Sequence, residues 1–219
     1  MGQKVHPVGL RLGITQPHLS QWFASKKNYS KYLFEDYFLR KTLLQRYRNA
    51  GFEKIKILRK IENHLEITIH VEKPSILVGN KGEDLAVFQQ EIKRILQKYQ
   101  PSQNEKKVVL YVLGSSPTSA SASSMADFLI DLLEKRIPYR IALKLLFQQL
   151  PRKKFQKGLK IQISGRLNGA EIARRHWVRE GRLPLQTLDA HIDYCLKTAQ
   201  TIYGILGIKV WVFSDEKET

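Results

Sequence analysis

The stretch Ile76-Leu77-Val78-Gly79-Asn80-Lys81-Gly82-Glu83-Asp84-Leu85 decides the reading of this chain. An apolar run ends in a Gly-x-x-Gly turn and passes at once into an amphipathic segment. Without a Cβ, Gly79 and Gly82 let the backbone turn tightly and approach another chain closely. Asn80 tolerates unusual φ, Lys81 places a cation at the tip, and the following helix offers free N–H groups suited to a phosphate. The motif alone is common in ordinary loops, so its flanks carry the argument.

Downstream, Leu85, Phe88, Ile92, Ile95, Leu96 and Tyr99 recur at intervals of three and four, one apolar helix face. Pro101 to Asn104 is a loop, and Lys106–Leu113 reads as a strand. Upstream, Ile55 and Ile57 alternate with Lys54 and Lys56, then Leu65, Ile67, Ile69 and Val71 alternate with polar residues. The pair predicts a hairpin of half-buried strands. Lys73-Pro74 breaks it ahead of a short helical turn. Before the hairpin, Ser30 is the expected N-cap of a helix over Lys31–Asn49, its apolar stripe being Leu33, Phe34, Tyr37, Phe38, Leu44 and Tyr47. The order is helix, strand, strand, short helix, glycine loop, helix, strand.

That order resembles a K-homology (KH) RNA-binding domain of the type II arrangement, α-β-β-α-α-β, over about residues 31–115. In KH domains the glycine loop clamps the backbone of a single strand. The resemblance implies RNA contact at Gly79, Asn80, Lys81 and Gly82.

Composition agrees with a polyanionic partner. The 219 residues hold 37 Lys+Arg against 20 Asp+Glu, a net charge of +17, and nucleic acid is the commonest partner of such a balance. No apolar run approaches the roughly 20 residues of a spanning helix, and Met1 to Pro7 lacks the apolar core of a secretory signal. A single cysteine, Cys195, excludes disulfides within the chain and a cysteine-cage zinc site. It reads as a small buried or half-buried residue rather than a nucleophile, in a reducing compartment.

Residues 1–30 form a basic arm, punctuated too often by Gly and Pro for a helix, with no acid before Glu35. Gly114 to Ser124 reads first as a linker. Beyond it Met125, Phe128, Leu129, Leu132 and Leu133 form a helical stripe, and Pro138 fits the first turn of a second helix. On that helix Arg140 and Lys144 share a face, with Arg136 one spacing before them. Leu159, Ile161 and Ile163 alternate with Lys160, Gln162 and Ser164, a strand with a basic outer face. Further strands are expected around Ala190–Tyr194 and Ile208–Phe213. Between Arg152 and Arg182 ten Lys/Arg face two acids, with Trp177 among the arginines. The fold class is α+β: a KH domain, then a second α+β domain at 116–219 with two helices and an antiparallel sheet.

The segment from Ile163 to Arg174, with Trp177, Arg179-Glu180-Gly181-Arg182-Leu183-Pro184-Leu185, Ile192-Asp193-Tyr194 and the run Tyr203 to Trp211, is similar to the C-terminal domain of small-subunit ribosomal protein three. Met1 to Pro7 and Gly9 to Gly13 resemble that family's N-terminus. The resemblance implies a constituent of the small-subunit head that binds ribosomal RNA beside neighbouring head proteins and contacts messenger RNA where it enters. On that resemblance the chain is expected to be neither an enzyme nor a homo-oligomer and to need no cofactor, metal or membrane. Arg136, Arg140 and Lys144 match the family's messenger-contacting positions, although Ile141 stands where bacterial members carry a second arginine. Lys4, His6, Arg11, Lys153, Lys154, Arg166, Arg174, Arg175, Arg179 and Arg182 are the ribosomal RNA candidates. The short ending and Asp193-Tyr194-Cys195 resemble plastid-encoded versions and imply the chloroplast stroma, with a bacterial or cyanobacterial cytoplasm as the alternative. A free KH-domain regulator of messenger RNA is the competing function. An enzyme reading has only Asp189, His191 and Asp193, expected on one strand face and more simply paired with arginines.

Overall fold

The structure is a computed structural model and describes residues 4–61, 64–79, 83–99, 107–114, 121–149 and 156–214. It divides into two compact units. One is continuous, His18–Ser115; the other joins Met1–Pro17 to Ser116–Thr219. The 1–30 arm is therefore split between them.

In the His18–Ser115 unit the elements are β1 (Ser20–Gln21), α2 (Lys26–Arg46), β2 (Phe52–Ile61), β3 (His64–Val71), α3 (Ser75–Val78), α4 (Glu83–Tyr99) and β4 (Lys107–Gly114); α1, Pro7–Arg11, belongs to the other unit. From α2 onward this is the α-β-β-α-α-β order of a type II KH domain. The sheet runs β1-β2-β3-β4, with the β2/β3 hairpin antiparallel and β3/β4 parallel. The alternation in β3 is complete: Leu65, Ile67, Ile69 and Val71 are buried, together with Ile55 and Ile57 of β2. Phe88, Ile92 and Leu96 of α4 close over them, with Leu77 of α3. Gln89 of α4 donates from Nε2 to Val108 O of β4 at 2.8 Å.

Helix α2 departs from expectation twice. It begins a turn early, with Ser25 rather than Ser30 at the N-cap, and stops at Arg46. It also turns the other way. Leu33, Phe34, Tyr37 and Leu44 are at least half exposed, while Tyr32, Glu35, Asp36, Leu39 and Leu43 are buried. The acids are satisfied from β2, where Arg59 donates to Glu35 Oε2 and Asp36 Oδ1, each at 2.7 Å. The guanidinium lies 4.6 Å from the Tyr32 ring centre, and Trp22 Nε1 donates to Asp36 Oδ2 at 2.8 Å. Two buried carboxylates with charged and neutral donors are tolerable; an apolar stripe could not have predicted them.

The second unit packs α5 (Ala122–Glu134) and α6 (Tyr139–Gln149) on one face of an antiparallel sheet made by β5 (Gln156–Gly165), β6 (Arg174–Gly181), β7 (His191–Thr201) and β8 (Gly204–Ser214). The strand order is β6-β5-β8-β7. Strand β6 was not expected. Its half-buried inward residues are His176 and Val178, too few to show an alternation among three arginines and a glutamate. Helix α5 begins at Ser121, whose Oγ accepts from Ser124 N at 3.1 Å, and Asp193 Oδ2 accepts from Ala122 N at 2.8 Å. Asp193 is thus a helix cap rather than an arginine partner. Cys195 lies on the same inward face, half-buried against the core.

The N-terminal segment is not irregular throughout. Pro7 occupies the first position of α1, whose N-cap His6 accepts through Nδ1 from Gly9 N at 3.2 Å. Arg11, at the end of α1, is fully buried. Its Nε donates to Ala190 O at 2.8 Å, Nη1 to Pro7 O at 2.8 Å, and Nη2 to Thr187 O at 2.7 Å and Leu185 O at 3.2 Å. The guanidinium clamps the loop before β7, and its expected role as an RNA contact is withdrawn: the donors an RNA phosphate would need are taken up by backbone carbonyls.

Candidate nucleic-acid interface

Three groups of candidate residues are placed by this architecture. The first is the glycine loop. Gly79 ends α3 with φ of +72°, and a Cβ there would run into the Asp84 carboxylate. The positive φ is what calls for glycine, since the exposed Asp84 side chain can swing aside. Asn80, Lys81 and Gly82 lie outside the described residues. Ile76 of α3 and Val87 of α4 leave apolar surface exposed on the elements flanking the loop.

The second group surrounds the α5–α6 turn. Helix α5 ends in a Schellman arrangement: Ile137 N donates to Leu132 O at 3.1 Å and Arg136 N to Leu133 O at 3.0 Å. Arg136 is the left-handed residue this ending requires, with φ of +63°, where glycine is usual. Arg140 and Lys144 are exposed one turn apart on α6. Arg140 Nε donates to Tyr139 Oη at 3.2 Å. Arg136 is not on α6. It lines a cleft of about 400 Å³ with Arg166, Asn168, Tyr139 and Tyr203. Arg166 is held there by its own chain, Nε donating to Ala170 O at 2.9 Å and Nη1 to Tyr203 O at 3.2 Å. The structure thus joins Arg136 and Arg166, assigned separately from the sequence, in one cleft.

The third group is the face of the second sheet turned away from its helices. Paired residues in an antiparallel ladder share a face, so the register defines three rows across it. They are Arg179–Lys160–Trp211–Tyr194, Trp177–Gln162–Lys209–Leu196 and Arg175–Ser164–Gly207–Thr198. These rows hold four cations and no acid. Glu180 pairs with Leu159 and so belongs to the opposite face, as does Arg174, paired with Gly165. Arg182 follows the end of β6, and Lys153 and Lys154 lie outside the described residues.

Lys160 is the centre of this face. Its ammonium lies 5.2 Å from the Trp177 ring centre and 5.3 Å from that of Trp211. Burial, then the charges of Lys4, Arg179 and Arg175, hold it below the usual lysine range. A polyanion would relieve that crowding. His6 reaches the same face, its ring edge-on to Tyr194 at 4.6 Å. Lys209 and Trp211 were not among the sequence candidates. Their outward parity follows only once the pairing of β8 with β5 is known.

Among the described residues no group of three His, Cys, Asp or Glu could hold a metal. His191 Nδ1 is 3.0 Å from Ser214 Oγ. Burial pushes the Cys195 thiol up, away from the reactive thiolate. Among the same residues no helix is long and apolar enough to cross a membrane.

Comparison with known proteins agrees with both units. The profile described as "KH domain" matches residues 38–114, and that described as "Ribosomal protein S3, C-terminal domain" matches residues 129–212. The protein from Ostreococcus tauri named small ribosomal subunit protein uS3c is 47% identical over 217 residues, covering 99% of each chain. The uS3c of Rhodomonas salina is 46% identical, over 99% of this chain and 96% of its own. The uS3 of Picosynechococcus sp. is 44% identical, over 99% and 87% respectively. With a KH unit, the second unit's sheet and near full-length identity in agreement, the chain belongs to the uS3 family of small ribosomal subunit proteins, a family of structural proteins rather than enzymes.

Proposed function

We propose that this chain is a constituent of the head of a plastid small ribosomal subunit, in the stroma, where it holds ribosomal RNA and contacts messenger RNA as it enters. The observation that supports this best is the acid-free basic and aromatic face of the second sheet. Phosphate contacts give affinity that is largely independent of sequence, and specificity can come from RNA shape and from neighbouring head proteins. Arg140 and Lys144, exposed on α6, and Arg136 at its mouth are the messenger-facing cations. Lys4, His6, Arg175 and Arg179 are the ribosomal RNA contacts the geometry supports. The glycine loop offers a second, single-strand site.

A salt-washed sucrose gradient of native lysate tests the reading. The expected result is one copy of the chain per small subunit after the wash. A chain that runs free of the subunit overturns it and favours a free KH regulator. In subunits carrying Arg140→Glu and Lys144→Glu, incorporation should persist while translation through a structured messenger slows. Unchanged translation of that messenger removes the entrance role alone.

A further inference from the structure

We propose that Trp177 is a stacking platform for one unpaired nucleobase, with the flanking phosphates held by Arg175 and Arg179. This rests on the RNA-binding reading above and narrows it to a single-stranded segment at a defined side chain.

The argument starts from a contrast between two tryptophans on one face. Trp211 is 9% exposed and packs with Ala190 and Ile192 in a small cluster that includes Leu183, Leu185, Tyr194 and Phe213. That is ordinary packing. Trp177 is 56% exposed, on the edge strand of the sheet. Its register partner is the polar Gln162, and it is not among the residues of the main core or of that cluster. An edge strand needs charge to prevent pairing with another sheet, which accounts for its arginines but not for a large exposed indole between them.

The surroundings suit a base. Lys160 steadies the ring through its ammonium at 5.2 Å. Arg175 and Arg179 stand two residues to either side of Trp177 and share its face. Four residues of strand separate their Cα atoms by about 13 Å, a span that places cations on both sides of a single stacked base. Gln162, directly opposite in the ladder, carries both a donor and an acceptor for a base edge. A duplex cannot use the ring, because its bases are already stacked on one another and only backbone and grooves are presented. An unpaired base can, and stacking on an aromatic side chain tolerates any base.

The test uses the full chain carrying Asn80→Asp and Lys81→Glu, so that the glycine loop adds least to binding. Affinity is measured for a short single-stranded oligoadenylate and for an RNA duplex of equal length, across a salt series. Trp177→Ala and Trp177→Leu should each weaken the single strand about tenfold. Duplex affinity and the salt slope should stay put, since no phosphate contact is lost. Trp177→Phe should stay within about threefold of the parent. Single-strand affinity unchanged in Trp177→Leu, or lost equally with duplex affinity, overturns the platform. If the parent binds neither RNA in a salt-dependent way, the RNA reading of this face falls with it. Intact salt-dependent binding that ignores the ring removes the platform alone.

Discussion

At Arg136 the backbone and the side chain make opposite demands. The Schellman ending of α5 needs a left-handed residue there, at φ of +63°, and an L side chain in that region costs about 1–2 kcal/mol. Glycine would relieve most of that strain, offset in part by its greater freedom in the unfolded chain. Arg136→Gly should therefore raise the melting temperature by about 2 °C while weakening RNA binding at the cleft shared with Arg166. Thermal unfolding and RNA titration of one preparation read both effects. A variant that melts lower, or binds RNA as well as the parent, contradicts the trade between shape and charge. The sequence showed Arg136 as one of three evenly spaced cations. Pro138, read as the first turn of the second helix, already set Arg136 ahead of the helix of Arg140 and Lys144; what the sequence could not show is that Arg136 is the left-handed residue closing α5, where glycine is usual.

Among the elements, α2 and β6 mark where sequence reading ends. The hairpin β2/β3 and α4 were legible because their hydrophobic periods are local and uninterrupted. Helix α2 was misfaced: its exposed Phe34 and Tyr37 look like core, and its buried Glu35 and Asp36 look like surface. Their partner Arg59 lies on another element, 23 and 24 residues away, and no period records such a pairing. The three side chains are at most 6% exposed. Arg59→Met should then cost about 3–5 kcal/mol, since two carboxylates remain buried without their cation. Urea unfolding measures the loss, and hydrogen exchange should locate it in the His18–Ser115 unit. A loss below about 1 kcal/mol would mean that the network relaxes into solvent. Strand β6 was missed for the converse reason. Its outward residues include Arg175 and Arg179, so charge hides the strand that presents them.

For the molecule as a whole, the two halves of the second unit are joined by Arg11. Its contacts to Ala190, Leu185 and Thr187 span 174 to 179 residues of sequence. Arg11→Met keeps the length of the side chain and removes the donors, leaving buried carbonyls unpaired. The expected loss is about 3 kcal/mol. The signature is faster hydrogen exchange across residues 183–192, with the β2/β3 hairpin of the other unit unaffected. Equal effects in both units would mean that they unfold together.

The interrupted path of that unit also imposes an order in time. As a chain is synthesised from its N-terminus, everything needed by the His18–Ser115 unit is present once residue 115 has emerged. The other unit must hold its first segment waiting until β8, ending at Ser214, has been made. Arg11 stays open to solvent until residues 185–190, which carry its carbonyl partners, have been made. The basic face of the second sheet therefore comes into being only after β5, β6, β7 and β8 have all been made.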